Sequence, residues 1–271
     1  MVQWVQRRST REPVHLDELE TTFGIGSMRD NWNNLASENA MHHIASEETN
    51  WEERDFFASG ERDITRHLDP VLERLHFSLQ GKKLLEIGCG VGRLSFNLAK
   101  RFPEVDALDI SPEMIKRAIE YQERFCVSNV RFHIGSGKDL AGFGNDEFDF
   151  CFSYIVFQHI PSVNLIFDYV REIGRVLKPG GMFLFQVNGF RHLRLPGSRY
   201  VMLGMRDAGR LRKWGIWRRP FLRIGRLDFV SGAPVKRLAM LRVCESARLD
   251  IKEIIGDHSQ YLWFAGQKMY P

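Results

Sequence analysis

Residues 84–95 read LLEIGCGVGRLS, an apolar run that ends in a carboxylate and is followed by three glycines at alternate positions. Gly88, Gly90 and Gly92 stand where a strand pattern gives way to a helix pattern. Their bare backbone permits a tight turn and lets a ligand approach the N–H groups. The stretch therefore predicts a strand–turn–helix unit whose turn binds a small molecule.

The residues around this turn narrow the choice of ligand. A dinucleotide-binding fold has its third glycine one position after Gly92, where this chain has Arg93. Glu86, just before the glycines, suits a cationic group better than a pyrophosphate. Asp109 ends the next strand pattern and can accept hydrogen bonds from both hydroxyls of a ribose. Together these residues favour a nucleoside that carries a positive charge.

Strand and helix patterns alternate between residues 81 and 189. Five apolar runs are separated by single helical patterns, including VGRLSFNLAKRF and PEMIKRAIEYQERF, the second with Ser111 as its N-cap. Such alternation predicts parallel strands joined by right-handed crossovers, hence a doubly wound α/β sheet whose ligand lies beyond the carboxyl ends of the strands. DIKEIIGD and YLWFAGQKM add two strands, and the short loop between them makes the last strand antiparallel.

These patterns divide the chain into four segments. Residues 1–80 are predicted to form an N-terminal helical cap, because apolar residues recur every three to five positions among charges. Residues 81–189 form the ligand-binding core, and residues 190–230 interrupt it as an inserted basic segment. Residues 231–271 return to the core with a helix and the last two of seven strands.

Composition places the chain among globular proteins. It has 271 residues, of which 44% are hydrophobic and 27% charged, which suffices for a sizeable core. The four cysteines, Cys89, Cys126, Cys151 and Cys244, show no CxxC pair and read as reduced thiols, with no metal site or disulfide framework. The N-terminal MVQWVQRRSTREP is too polar for a signal peptide, and no apolar run approaches a membrane span. A cytoplasmic location is therefore expected.

The basic residues concentrate in residues 190–230, hereafter the basic segment. It contains ten Arg and one Lys against two Asp, whereas the net charge of the whole chain is +4. The segment could be a lid whose arginines bind an anionic substrate bidentately, or it could bind the phosphates of a nucleic acid. It could also contact an anionic membrane surface or a partner, or it could simply be a solvated face. We favour the lid, because +4 is low for a nucleic-acid binder.

Further segments resemble one known family. EIGCGVG looks like the glycine loop of class I S-adenosylmethionine-dependent methyltransferases, ALDIS like their ribose-binding strand end, and FDFCFSYIVFQHIP with REIGRVLKPGGMFLFQ like their fourth and fifth strands. The resemblance is strong over residues 81–189 and weaker over 234–271. It implies a Rossmann-like, seven-stranded, mostly parallel sheet with an antiparallel last strand, and S-adenosylmethionine as cofactor.

The resemblance also implies roles for single residues. Glu86 and the backbone of Gly88 and Gly90 would hold the methionine part of the cofactor, Asp109 the ribose hydroxyls, and Ile110 the adenine. The third strand end has Ser136 and Gly137 where the family has an acidic residue, so Asp139 is an alternative contact there. The cofactor-binding candidates are Arg29, Glu86, Gly88, Cys89, Gly90, Gly92, Asp109, Ile110, Ser136, Gly137 and Ser153.

Tyr154 and His159 are the catalytic candidates, because the resemblance implies that they lie beside the transferred methyl group. A histidine there could accept a proton from a hydroxyl or amine, since its pKa lies near neutrality; a capping or packing role is the alternative. No Asn/Asp-Pro-Pro-Tyr/Phe or Pro-Cys sequence marks the amide, adenine-amine or cytosine C5 branches. The expected reaction is methyl transfer to an oxygen or nitrogen of a small molecule, anionic if the basic segment binds it. RNA methylation, or a noncatalytic protein that binds S-adenosylmethionine or a partner, is the alternative.

Overall fold

A computed structural model describes residues 16–189, 193–194, 200–201, 233–256 and 261–271, with side chains for 25–189, 233–256 and 261–271. Three helices come first: α1 (Leu16–Ile44), α2 (Glu53–His67) and α3 (Asp69–Arg74). The core then alternates β1 (Lys83–Ile87), α4 (Ser95–Leu98), β2 (Glu104–Asp109), α5 (Pro112–Phe125), β3 (Val130–Ile134), β4 (Phe148–Ser153), a 3₁₀ turn (Phe157–His159), α6 (Val163–Val176) and β5 (Leu177–Val187).

The remaining described elements are β6 (Leu193–Arg194), β7 (Tyr200–Val201), α7 (Arg237–Ser246), β8 (Leu249–Ile255) and β9 (Leu262–Lys268). Strands β6 and β7 pair as a small antiparallel ribbon within the basic segment, and the rest of that segment lies outside the described residues.

The main sheet has seven strands in the order β3-β2-β1-β4-β5-β9-β8. The first five are parallel, and β9 runs antiparallel to both of its neighbours. The predicted doubly wound, mostly parallel sheet with an antiparallel last strand is therefore confirmed. The strand order turns back between β1 and β4, which is where such sheets open a crevice for a ligand.

Alternate residues of the central strands enter two separate cores. On β1, Leu85 faces the core beneath α6 and α7, whereas Leu84 faces the core beneath α3. On β4, Cys151 faces the first of these cores and Phe150 faces the second. Both faces of the sheet are thus covered by helices, as parallel sheets require. A third cluster, which includes Ala36 and Phe56, joins the N-terminal helices to the core.

The start of α5 agrees with the local sequence, whereas α4 is shorter than the sequence predicts. Ser111 caps α5 by accepting a hydrogen bond from the backbone N–H of Met114 at 3.2 Å, as expected. The helix predicted over VGRLSFNLAKRF is shorter than expected and spans only Ser95–Leu98. The side-chain amide of Asn97 donates to the carbonyl of Arg93 at 3.0 Å and thereby competes with the backbone ladder at the start of this segment.

Candidate active site

A cavity opens at the carboxyl ends of the central strands, beneath helix α1. Its empty volume is about 970 Å³ including the open mouth, at the upper end of the range for small-molecule sites. The glycine loop after β1 forms its floor, the end of β2 one wall, and the segment after β4 the opposite wall. Met28, Trp32, His43 and Ile44 of α1 line the side that the sheet leaves uncovered.

The glycine loop lies against its neighbours so closely that side chains are excluded. Gly88 has a φ of +80°, and a Cβ on it would lie 2.2 Å from Cγ2 of Val156. Gly90 has a φ of +55°, and its Cβ would lie 2.8 Å from Cδ1 of Ile44 on α1. Both glycines are therefore required by backbone conformation and by close approach.

Glu86 lies buried beneath the glycine loop at the cavity wall, with 2% of its surface exposed. The hydroxyl of Ser95 donates a hydrogen bond to its Oε2 at 2.5 Å. Burial raises the pKa of Glu86 to about 7, and the Asp109 charge adds to this rise, whereas the Ser95 hydrogen bond and Arg93 oppose it. A cationic group in the cavity would stabilise the ionised carboxylate.

Arg93 places a buried guanidinium at the same end of the cavity. Its Nη1 donates to Asp63 at 2.6 Å and to Ser59 at 3.1 Å, both on α2. Its Nε is buried and has no hydrogen-bond partner in the described part of the chain. Sequence reasoning used Arg93 only as a departure from a dinucleotide pattern and missed it as a site residue. Glu86 and Arg93 together present the anion and the cation that a zwitterionic amino acid group needs.

The Asp109 carboxylate closes the end of β2. Its Oδ2 accepts from the backbone N–H of Gly90 at 2.8 Å and its Oδ1 from that of Ser111 at 2.9 Å. Burial raises the pKa of Asp109, while these backbone hydrogen bonds oppose the rise. Each oxygen keeps a further lone pair for a ribose hydroxyl. Ile110 and Gly137 line the adjoining wall, where adenine was expected.

The opposite wall contains both catalytic candidates. Tyr154 stacks on Trp263 with ring centroids 5.0 Å apart, and burial raises the pKa of its phenol, so this group is neutral near pH 7. His159 packs edge-on against Trp32 of α1 at 5.5 Å. Tyr154 can donate a hydrogen bond there, but it does not serve as a base in its resting state.

Four predicted residues do not line the cavity. Arg29 donates from Nη2 to the carbonyls of Gly135 and Ser136, both at 3.2 Å, and so ties α1 to the loop after β3. The Ser136 hydroxyl donates to Asp139 Oδ1 at 2.7 Å. The Ser153 hydroxyl is buried and donates to the carbonyl of Ile87 at 3.0 Å, and Gly92 faces Phe96 and Phe132. These four residues support the wall from behind.

The other nine candidates line the cavity together: Glu86, Gly88, Cys89, Gly90, Asp109, Ile110, Gly137, Tyr154 and His159. Burial raises the pKa of the Cys89 thiol, so it stays neutral. Sequence reasoning missed Met114 and Tyr169 as lining residues, since each reads as an ordinary apolar position of its helix. Among the described residues, no cluster of three or more His, Cys, Asp or Glu could hold a metal ion.

The structure is a doubly wound α/β domain whose cavity is lined by buried Glu86 and Arg93 and by Asp109 at the end of β2. A family model described as "Methyltransferase domain" matches residues 85–185. The matched residues lie within the core, over which the sequence resembles class I S-adenosylmethionine-dependent methyltransferases, and the match supports that resemblance. A relative from Xanthomonas oryzae pv. oryzae, "Ubiquinone biosynthesis O-methyltransferase", is 35% identical over 122 residues. The match covers 45% of this chain and 48% of that protein, so the chain spans about half the length of the curated relatives it matches.

Solved structures share the fold over most of the chain. A phosphoethanolamine N-methyltransferase from Haemonchus contortus, in complex with phosphoethanolamine and S-adenosylhomocysteine, has a TM-score of 0.65 at 14% identity and covers 95% of this chain and 52% of that one. A magnesium protoporphyrin IX methyltransferase from Synechocystis, with bound S-adenosylhomocysteine, has a TM-score of 0.60 at 17% identity, covering 90% and 99%. At such identities the likeness concerns the fold alone.

Proposed function

We propose that this chain binds S-adenosylmethionine and transfers its methyl group to a small molecule. The observation that carries the proposal is that buried Glu86 and buried Arg93 line one cavity with Asp109, the ribose-type carboxylate. Glu86 would take the amino group of the cofactor and Arg93 its carboxylate. Asp109 would take the ribose hydroxyls, and Ile110 would pack against adenine.

Bound S-adenosylmethionine would supply an electrophilic methyl group, which passes to a lone pair of the acceptor while the C–S bond breaks and its electron pair stays on sulfur. Much of the rate of such a transfer can come from holding the acceptor in line. Tyr154, His159 and Trp32 surround the open part of the cavity, where an acceptor would lie. Helix α1 covers this region and would limit the access of water.

We favour an oxygen acceptor, because the matched curated relatives are named O-methyltransferases. The aromatic surroundings, with Trp32 on one side and Tyr154 on Trp263 on the other, suit a flat, partly apolar molecule. An anionic acceptor stays a prediction that rests on the basic segment. A nitrogen acceptor is the alternative.

Calorimetry with S-adenosylmethionine and S-adenosylhomocysteine tests the cofactor. The parent chain and Glu120→Gln, which removes an exposed carboxylate on α5, should bind both ligands, and Glu86→Gln should bind them at least tenfold more weakly. Absence of binding by the parent chain would exclude the proposal. Methyl-labelled cofactor offered with phenols, carboxylates, amines and phosphates then identifies the acceptor by mass spectrometry.

An RNA acceptor remains the second candidate because of the ten arginines of the basic segment. Binding of RNA that weakens steeply between 50 and 200 mM salt would support it, since phosphate contacts release counterions, and a flat response would contradict it. The lid and the peripheral membrane contact fall on the same segment and stay predictions, as does the cytoplasmic location. No helix among the described residues is long and apolar enough to cross a membrane.

A further inference from the structure

A fully buried glutamine lies in the middle of the sheet, behind the catalytic wall. Gln186 on β5 has no exposed surface, and a buried side-chain amide is costly unless it is hydrogen-bonded. Its Oε1 accepts from the backbone N–H of Ile155 at 3.0 Å. Its Nε2 donates to the carbonyl of Val187 at 3.0 Å. Because both partners are backbone groups with fixed roles, the orientation of this amide is determined.

Ile155 gives a reason for this arrangement. It lies at the cavity between Tyr154 and Val156 and has a φ of +57°, a left-handed conformation that β-branched residues rarely adopt. Such strain persists only where surrounding contacts hold it, and it concentrates at functional sites. The hydrogen bond from Ile155 to Gln186 is one such contact.

The fixed amide of Gln186 also fixes the orientation of Gln158, which contacts the catalytic candidate His159. Nε2 of Gln186 also donates to Oε1 of Gln158 at 2.9 Å, so the other end of Gln158 presents its NH₂ group. That group lies 3.2 Å from Nε2 of His159. An amide NH₂ only donates, so Nε2 of His159 must accept.

We propose that Gln186 and Gln158 are positioning residues that hold His159 neutral with its proton on Nδ1. In the other tautomer and in the imidazolium, Nε2 of His159 carries a proton, which would face the NH₂ group of Gln158, another donor. If the Gln158 amide were rotated by 180° to avoid this, its NH₂ group would face the NH₂ group of Gln186. Either arrangement leaves a donor unpaired, which favours the Nδ1–H tautomer roughly tenfold or more.

This assignment alters the role expected of His159, and that consequence rests on the proposed methyl transfer. Nε2, the nitrogen that has a lone pair, is engaged by Gln158, and Nδ1 already carries a proton. His159 therefore carries an N–H at Nδ1 and does not take the proton that the acceptor loses, which passes to water or to another group. The remaining titratable residues of the cavity wall are His43, Glu86, Asp109, Tyr154 and Tyr169, with Arg93 as a fixed charge.

Nitrogen-15 NMR of the histidine-labelled chain tests the assignment without any ligand. The His159 signals, identified by their loss in His159→Gln, should show Nδ1 protonated and Nε2 unprotonated at pH 7.5. Gln158→Glu presents a carboxylate in place of the NH₂ group. It should move the proton to Nε2 and raise the titration midpoint of His159 by at least one pH unit. Gln80→Glu adds the same charge at an exposed position and should change neither signal.

Gln158→Met separates the hydrogen bond from the charge. It removes the donor with little change of size, and both tautomers should then be populated. The proposal is overturned if the parent chain shows Nε2 protonated, or if both Gln158 variants keep the parent's pattern. Because no cofactor is present, failure of the tautomer assignment is distinct from failure of S-adenosylmethionine binding, which calorimetry on the same samples reports.

Discussion

Cofactor binding should depend on pH through Glu86. The pKa of this buried carboxyl is about 7 in the ligand-free protein, so about half of the molecules are ionised at pH 7. On the proposed assignment, the amino group of the cofactor is a cation and would bind the ionised form of Glu86. As pH falls through 7, the competent fraction falls from about 0.9 at pH 8 to about 0.1 at pH 6, and the apparent Kd should rise roughly tenfold.

Calorimetry with S-adenosylhomocysteine measures this directly. At pH 7 the complex should release about half a proton as Glu86 ionises, and the observed enthalpy should therefore differ between phosphate and Tris buffers by that share of their ionisation enthalpies. The ligand's own amino group also titrates, so the reference is Glu86→Gln, which keeps an oxygen for the Ser95 hydroxyl but cannot ionise.

The difference between parent and Glu86→Gln isolates the protein's contribution. Glu120→Gln, with an exposed carboxylate removed, should behave like the parent. If parent and Glu86→Gln show the same dependence of Kd on pH, the buried carboxylate does not receive the amino group and the assignment of the methionine end of the cavity is wrong.

Three further predictions concern residues that line the same cavity. In the ligand-free protein, a pKa of about 7 against 4.5 when unfolded means that ionised Glu86 costs about 3 kcal/mol, a cost that builds up between about pH 4.5 and 7 and is complete above pH 7. Glu86→Gln should therefore raise the free energy of unfolding by up to about that amount at pH 8 and by little at pH 4, measured by urea titration. Gly88→Ala should abolish cofactor binding, and adding Val156→Ala should relieve the 2.2 Å clash but not the φ of +80°, so that thermal stability recovers only in part; full recovery would contradict a conformational requirement for glycine. Asp109→Asn should weaken binding at least tenfold for S-adenosylhomocysteine but much less for an analogue without ribose hydroxyls, and an equal loss for both would place the ribose elsewhere.

The sheet was predictable because its signals are local. Each strand is a short apolar run, the crossovers that contain α4, α5 and α6 have helical periodicity, and Ser111 caps α5 from the adjacent position. Glu86, Gly88, Gly90 and Asp109 were predictable for a related reason: the carboxyl ends of neighbouring parallel strands meet at one edge of the sheet.

The residues that sequence reasoning misplaced or missed depend on contacts between distant segments. Arg29 carries no local sign that its guanidinium pairs with the carbonyls of Gly135 and Ser136, more than a hundred positions away. In the sequence, Gln186 is a polar residue within an apolar strand. Its partners Ile155 and Gln158 come before α6 in the chain, so the pattern of β5 does not reveal them. The length of α4 was overestimated, because periodicity does not show that the Asn97 side chain competes for a backbone carbonyl.

The same distant contacts connect the N-terminal helices to the chemistry of the cavity. Asn33 on α1 accepts a hydrogen bond from the Ser111 hydroxyl at 2.6 Å, and the backbone N–H of Ser111 donates to Asp109 at 2.9 Å. Asp109 in turn accepts from Gly90 at 2.8 Å, and Gly90 lies against Ile44 of α1. Helix α1 therefore contacts the glycine loop directly through Ile44 and the ribose-type carboxylate indirectly through Ser111. Asn39, with a φ of −161° and a ψ of 83°, interrupts α1 between these two contacts, so the two halves of the helix act on the site separately. Asn33 does not line the cavity, yet we expect a substitution there to alter cofactor affinity through Ser111 and Asp109.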